Sequence, residues 1–352
     1  MPRRSSTAIF EELLATHEPR VREAFIEAVR DLVDGVTLRV VVERLERHDI
    51  EGAIAALNLE PEAFSRLERA IEAAYADGGQ ATVGNLPTVR DPDGGRVVFR
   101  FGIRNTPAED WLRDHSGMLV TRIVDEQRDV IRTAFTEGLA RGDNPTRTAL
   151  DVVGRIDRQS NRRTGGVIGL SAPQERFVAN ARRELLSGDP DAMRNYLTRK
   201  RRDRRFDGMV LKAIREEKPL DRATIDRIVG RYSDNLLKLR GEAIGLNETM
   251  TALSKSREDA IAQQIAAGKI AAEDVVKVWR HTPQEHPRLH HRAMNNKTAP
   301  WGEKFKLPNG VEIDYPHAPD APASETLFCK CIWLPRIDHI GAVARRYRAT
   351  AA

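Results

Sequence analysis

The chain has 352 residues, with 57 Lys and Arg against 52 Asp and Glu and a formal net charge of +5. That length exceeds one ordinary domain, so two or three units are expected, and the mild basic excess permits an anionic partner without demanding one. Aromatic residues make up 5% and charged residues 31% of the chain, which favours charge-rich helices over a large sheet; no apolar run is long enough to cross a bilayer, so no membrane partner is expected.

The opening Met1-Pro2-Arg3-Arg4-Ser5-Ser6 leads into a polar helical pattern, and no secretory leader is expected. From Phe10 to Val33 apolar residues recur at helical spacing, interrupted at His17-Glu18-Pro19, which reads as one or two amphipathic helices. Further helices are expected over Leu38–His48, Ile50–Leu57 and Pro61–Tyr75, with Asp77-Gly78-Gly79 as their stop. Between Thr82 and Ile103 the period changes to alternation around Asp91-Pro92-Asp93-Gly94-Gly95, predicting a β-hairpin near 82–103. Helix resumes over Ala108–His115, Val120–Arg141 and Arg147–Asp157, and the glycine-containing Arg162-Arg163-Thr164-Gly165-Gly166 marks a boundary.

A central helical region follows from Ala172 to about Gly268, with breaks at Gly188-Asp189-Pro190 and Lys218-Pro219. Its longest periodic piece, Ile225, Ile228, Val229, Tyr232, Leu236 and Leu239, predicts one buried helix face, with a helix-in-groove contact as the alternative. Past Gly268, short strands are expected at Val275–Trp279, Lys304–Leu307, Val311–Tyr315 and Thr326–Trp333, with Pro308-Asn309-Gly310 as a hairpin turn. The fold expected is mainly α: a helical N-terminal region 1–165 carrying the hairpin, a central helical region 166–275, and a small α+β C-terminal unit 276–352.

The C-terminal part also holds the densest chemistry. Six of the nine histidines lie between His281 and His339, with both cysteines, Cys329 and Cys331, and two of the four tryptophans, while a third, Trp279, stands just ahead. Taken in order, Trp279, Arg288 with His291, Phe305, the Asn309-Gly310 turn, Pro316 with Pro319, and Cys329-Lys330-Cys331 resemble the C-terminal pattern of the phage head-morphogenesis (Mu F-like) minor head proteins. The resemblance is strongest over residues 240–335. Lys330 stands where that family commonly has Arg, and Asn296 where it commonly has Gly; Asn is the best substitute in a left-handed turn. The resemblance implies a non-enzymatic capsid-assembly protein of the virion, at the portal vertex or head interior. Its implied partners are the portal protein, other capsid proteins and packaged double-stranded DNA.

Cysteines one residue apart make a poor disulfide. On a strand they share a face, so Cys329 and Cys331 point at one ion, with His291 and either His281 or His317 completing a tetrahedral zinc site. The plainer alternative is two cysteines packed as small hydrophobes around a hydrogen-bonded His291. Arg288, His291, Glu285 and His317 contain the elements of an acid–base set for phosphodiester cleavage, but no glycine-rich phosphate loop or paired metal-binding carboxylates accompany them. The strongest charge run, Arg199, Lys200, Arg201, Arg202, Arg204 and Arg205, is placed in a helix, where its side chains point in every direction. It suits phosphate or acidic-protein contact, and a nucleic-acid-binding protein or nuclease is the competing function.

Overall fold

In the computed structural model the residues described are 4–90, 94–103, 106–158, 160–284, 287–338 and 341. Over these the protein is mainly helical with a few small antiparallel sheets. The chain runs α1 (Ser6–Asp34), α2 (Leu38–Glu46), α3 (Ile50–Ala55), a 3-10 turn at Pro61–Phe64, α4 (Ser65–Gly84), α5 (Thr106–Ala140) and α6 (Pro145–Val153). A minimal hairpin, β1 (Arg155–Ile156) with β2 (Arg163–Thr164), precedes α7 (Ala172–Leu186), α8 (Pro190–Leu197), α9 (Asp207–Glu216) and the 45-residue α10 (Arg222–Ala266). The last part holds β3 (Val275–Arg280), α11 (Leu289–Ala293), β4 (Thr298–Pro300), β5 (Phe305–Lys306), β6 (Glu312–Ile313), α12 (Ala323–Thr326) and β7 (Ile332–Ile337).

Two compact units share this chain without following its order. One comprises residues 1–22, 68–116 and 243–352; the other comprises 23–67 and 117–242. The 276–352 segment therefore folds together with stretches from the beginning and middle of the sequence.

In the second unit, local signals place the helix starts. Asn144 caps α6 by accepting from the Arg147 N–H at 2.8 Å, Asp189 caps α8, and Ser171 forms a capping box with Gln174 at α7, each followed by proline in the first turn. The expected apolar stripe of α10 is core: Ile225, Ile228, Val229, Tyr232 and Leu236 are all buried. A buried Gln127 accepts from the Gly169 N–H at 2.6 Å and donates to the Leu170 carbonyl at 2.7 Å, pinning the loop ahead of α7. The basic run departs from expectation. Residues 199–203 form a turn between α8 and a 3-10 turn at Arg204–Phe206, because Asp203 accepts from the Arg205 N–H at 3.1 Å and arginine–carboxylate pairs hold the loop.

In the first unit, α4 does not stop at Asp77-Gly78-Gly79 but continues to Gly84. The two glycines answer to packing rather than to helix termination. A Cβ on Gly78 would lie 2.4 Å from the Ser256 Oγ, and one on Gly79 would lie 2.1 Å from the Phe101 ring. Intrinsic propensity favours Ala over Gly in a helix by about 1 kcal/mol, but Phe101 is buried and has little room to move. Gly79→Ala is accordingly expected to destabilise by about 1–3 kcal/mol in denaturant unfolding; a net gain would show that the approach is not tight.

The expected hairpin is likewise absent as a strand pair among the described residues. It reduces to one isolated bridge, Arg90 to Arg96, with the Asp91-Pro92-Asp93 part of its turn outside the described residues. Val97 donates to the Val89 carbonyl at 2.9 Å, but further along, the backbone of Arg100 and Gly102 is paired by side chains of α10 instead of by a second strand. Gln264 donates to the Arg100 carbonyl at 2.6 Å and accepts from its N–H at 3.3 Å, while Gln263 does the same for Gly102 at 3.0 Å each way. A primary amide can donate and accept at once, so two glutamines replace a short ladder. Alternation in the sequence does not report which group the backbone pairs with.

Candidate metal centre

The three-stranded sheet has the order β4-β3-β7, both pairings antiparallel. Its β3–β7 register ends at Trp279↔Trp333 and Arg280↔Ile332. One step further out, His281 and Cys331 come opposite each other, and the His281 Nδ1 lies 3.5 Å from the Cys331 Sγ. Cys329 and Cys331 precede β7 rather than lying in it, which corrects the strand expected from Thr326; residues 323–326 are a helical turn. A turn brings both thiols to one place: Phe328 has a positive φ of 55°, the Cys329 N–H donates to the Thr326 carbonyl at 2.9 Å, and the Cys331 N–H donates to the Cys329 Sγ at 3.3 Å. Lys330 between them is exposed.

Arg288 precedes the first turn of α11 and donates to the Leu327 carbonyl at 2.8 Å, tying that helix to the cysteine-bearing turn. His291, in α11, is 2% exposed. Its Nδ1 stands 3.3 Å from the Cys329 Sγ and 3.8 Å from the Cys331 Sγ. Zinc–sulfur and zinc–nitrogen bonds of about 2.3 and 2.0–2.1 Å imply sulfur–nitrogen edges of about 3.6 Å in a tetrahedral site. The three sulfur–nitrogen separations bracket that length. The ligand atoms of His291, Cys329 and Cys331 lie within 4.8 Å of one another, a cluster able to hold a metal ion.

His317 is brought beside Cys329 as well: its Nε2 is 3.0 Å from the Cys329 carbonyl oxygen, and its ring also acts on the Cys329 thiol. His281 stands against the other thiol, that of Cys331, so both histidines named for the fourth position border the cysteine pair. Both cysteines are free and also belong to an apolar cluster with Trp279, Met294, Phe305, Leu307 and Ile313.

The outer contacts were not legible in advance. The other nitrogen of His291, Nε2, is 2.7 Å from the buried Glu325 carboxylate. Glu325 also takes His290 Nε2 at 2.8 Å and the Asn309 side-chain N–H at 2.9 Å. Burial pushes this carboxyl up, but the hydrogen bonds from His290, His291 and Asn309 outweigh it and hold it below the ordinary carboxylate range. A carboxylate behind a histidine fixes the tautomer that presents Nδ1 as a lone pair, the arrangement found behind metal-bound imidazoles. Asn309 matters here through its side chain, since only Gly310 of the turn has a positive φ, 86°.

Electrostatics in the cluster favour a single thiolate. The hydrogen bond from Cys331 is the largest influence holding the Cys329 thiol far below its ordinary pKa, with His291 and His317 adding to it against burial. Cys331 is driven the opposite way by that same bond, by burial and by its neighbour's charge. A bound cation removes the conflict by favouring both thiolates. Trp279 packs edge-on against His291 at 5.2 Å and against Phe305 at 5.4 Å between ring centroids, walling the cluster from solvent. Asn296 adopts a left-handed φ of 66°, as expected where Gly is common.

The remaining candidates lie elsewhere. In the basic run, Arg199 pairs with Glu184 at 2.7 Å, Arg202 with Asp207 at 2.9 Å, Arg205 with Asp203 at 2.6 Å and Arg201 with Glu242 at 4.0 Å. Lys200 and Arg204 are exposed without an ion pair among the described residues. Glu285, considered for acid–base chemistry, and His339 fall outside the described residues. No family model matches the chain, and neither a curated protein nor a solved structure matches it.

Proposed function

We propose that the protein is a phage minor head protein acting in head morphogenesis, docking at the portal vertex or capsid interior through a C-terminal unit clamped by zinc. The observation that carries this reading is convergence. Trp279, Arg288, His291, Asn309, Cys329 and Cys331, six residues of the head-morphogenesis pattern, span some fifty positions of sequence, yet each belongs to the cluster, touches it, or is bonded to a segment that carries it. Zinc suits the donor set, because two thiolates and two imidazoles from Cys329, Cys331, His291 and His281 match its tetrahedral preference.

An assembly role without catalysis fits the same contacts. His291, the natural general base of a nuclease reading, is buried and has both ring nitrogens engaged. Arg199, Arg201, Arg202 and Arg205 of the basic run are paired with carboxylates, which supports protein docking over DNA contact. Leu289, Leu327 and Phe328 are exposed on the two segments that Arg288 ties together, and apolar side chains there suit a protein partner.

Co-expression with the portal protein of the same phage tests this. The wild-type protein is expected to co-purify with the portal, and the double variant Leu289→Asp/Phe328→Asp to lose that association while keeping its helical content and metal. Failure of the wild-type protein to associate with portal or any capsid protein would overturn the reading.

A further inference from the structure

A second feature of the first unit is independent of the metal cluster. Arg257, on α10, is 6% exposed, and no carboxylate among the described residues lies within ion-pair distance of it. Its guanidinium gives a hydrogen bond to the Trp333 carbonyl and stands over the rings of Phe10, at 4.8 Å, and Trp333, at 5.9 Å. A buried cation without a counter-charge is among the costliest groups in a protein interior. Ring faces and one carbonyl offset that cost only in part. Burial alone pulls its pKa down to about 9, so it remains a cation at neutral pH.

The same side chain lines a cavity of about 290 Å³ that opens to solvent between the start of α1, α4, α10 and β7. Its walls are largely apolar, with Phe10, Leu13 and Leu253 among them, and no acidic residue among the described residues lines it. Polar groups of the wall are already satisfied: Asn85 donates to the Ser6 Oγ at 2.7 Å and Thr82 to the Gly78 carbonyl at 2.8 Å. Arg336, exposed at the edge, adds a second positive charge. The guanidinium has five N–H donors in a fork that matches a carboxylate, and the volume is at the small end of ligand pockets, about 300 Å³.

We propose that this cavity binds a small carboxylate with an apolar body, its carboxylate on the Arg257 guanidinium and its chain against Phe10, Leu13 and Leu253. The ligand chemistry is shared by a free short-chain carboxylic acid and by the C-terminal carboxylate of a peptide ending in an apolar residue.

Calorimetric titration and thermal unfolding of the full chain at one fixed pH test the proposal. The probes are hexanoate, hexanol, hexylamine, and an N-acetylated pentapeptide ending in Leu with a free or an amidated C-terminus. Hexanoate or the free-carboxylate peptide is expected to bind and raise the melting temperature, while the alcohol, the amine and the amidated peptide do not. Binding of hexanoate alone identifies a free acid, and binding of the peptide alone identifies a chain terminus. Arg257→Met is expected to weaken binding at least tenfold. Should that variant not fold, Ala81→Trp, which fills the cavity without touching the charge, is expected to abolish binding. No response to either carboxylate, an equal response to hexanoate and hexanol, or wild-type binding by Ala81→Trp overturns the proposal; a purely structural Arg257 gives the first of these.

Discussion

Purified without chelators, the protein is expected to carry one zinc per chain and to lose it in Cys329→Ser and in Cys331→Ser. Removing one thiolate from a four-ligand set takes away a bond, whereas removing an outer carboxylate only loosens a ligand. Glu325→Gln is therefore expected to weaken zinc by roughly 10–100-fold, and each Cys→Ser change to weaken it further, measured by competition against a chromophoric chelator. In small zinc modules the metal supplies roughly 10–16 kcal/mol of apparent folding free energy. Less is at stake here, because Trp279, Phe305, Leu307 and Ile313 already form an apolar cluster around the thiols. Chelation is expected to lower the melting temperature by several degrees and to expose both thiols to a titrating reagent. A wild-type protein that is fully folded, metal-free and unable to take up zinc would eliminate the centre.

The second large effect concerns Glu175 in α7, a carboxylate 4% exposed that has no ion-pair or hydrogen-bond partner for its side chain among the described residues. Burial is the main cause that raises its pKa from 4.5 to about 7; the charge of Glu137 adds to it, and Arg141 and Arg176 oppose it. A folded-state value above the unfolded one means that folding favours the protonated form. Its contribution is fully present below about pH 4.5 and is lost as pH rises through about 7. The shift corresponds to roughly 3 kcal/mol at alkaline pH, an upper figure because local relaxation lets water reach the group. Glu175→Gln keeps the shape and removes the charge. Its expected gain is about 2–3 kcal/mol at pH 9, shrinking towards zero at pH 4.5, read from denaturant unfolding at the two pH values. An equal gain at both, or none at pH 9, would refute this assignment.

Local physics explains which parts of the fold were legible. Helix positions followed from apolar periodicity, and several starts followed from caps such as Asn144-Pro145 and Asp189-Pro190, since a cap and the first turn it serves lie within four residues. The buried stripe of α10 was legible for the same reason. Pro19 was not a break: it lies inside an uninterrupted α1. Gly78 and Gly79 suggest a stop that the fold does not make, because local sequence reports the poor helix propensity of glycine but not the Ser256 and Phe101 side chains that require its missing Cβ.

The candidate site divides along the same line. By itself the sequence determined the donor types, the pairing of Cys329 with Cys331, and His291 as their companion, because thiols and imidazoles concentrated in one segment have few other uses. Only the tertiary structure set His281 against Cys331, through the β3–β7 register that brings residues fifty positions apart together, and His317 against Cys329. It alone recruited Glu325, a carboxylate indistinguishable in sequence from the chain's many surface acids until α12 buries it behind His291. Residue type decides what chemistry a group can perform, but distance and desolvation decide which groups perform it, and both are properties of the folded chain.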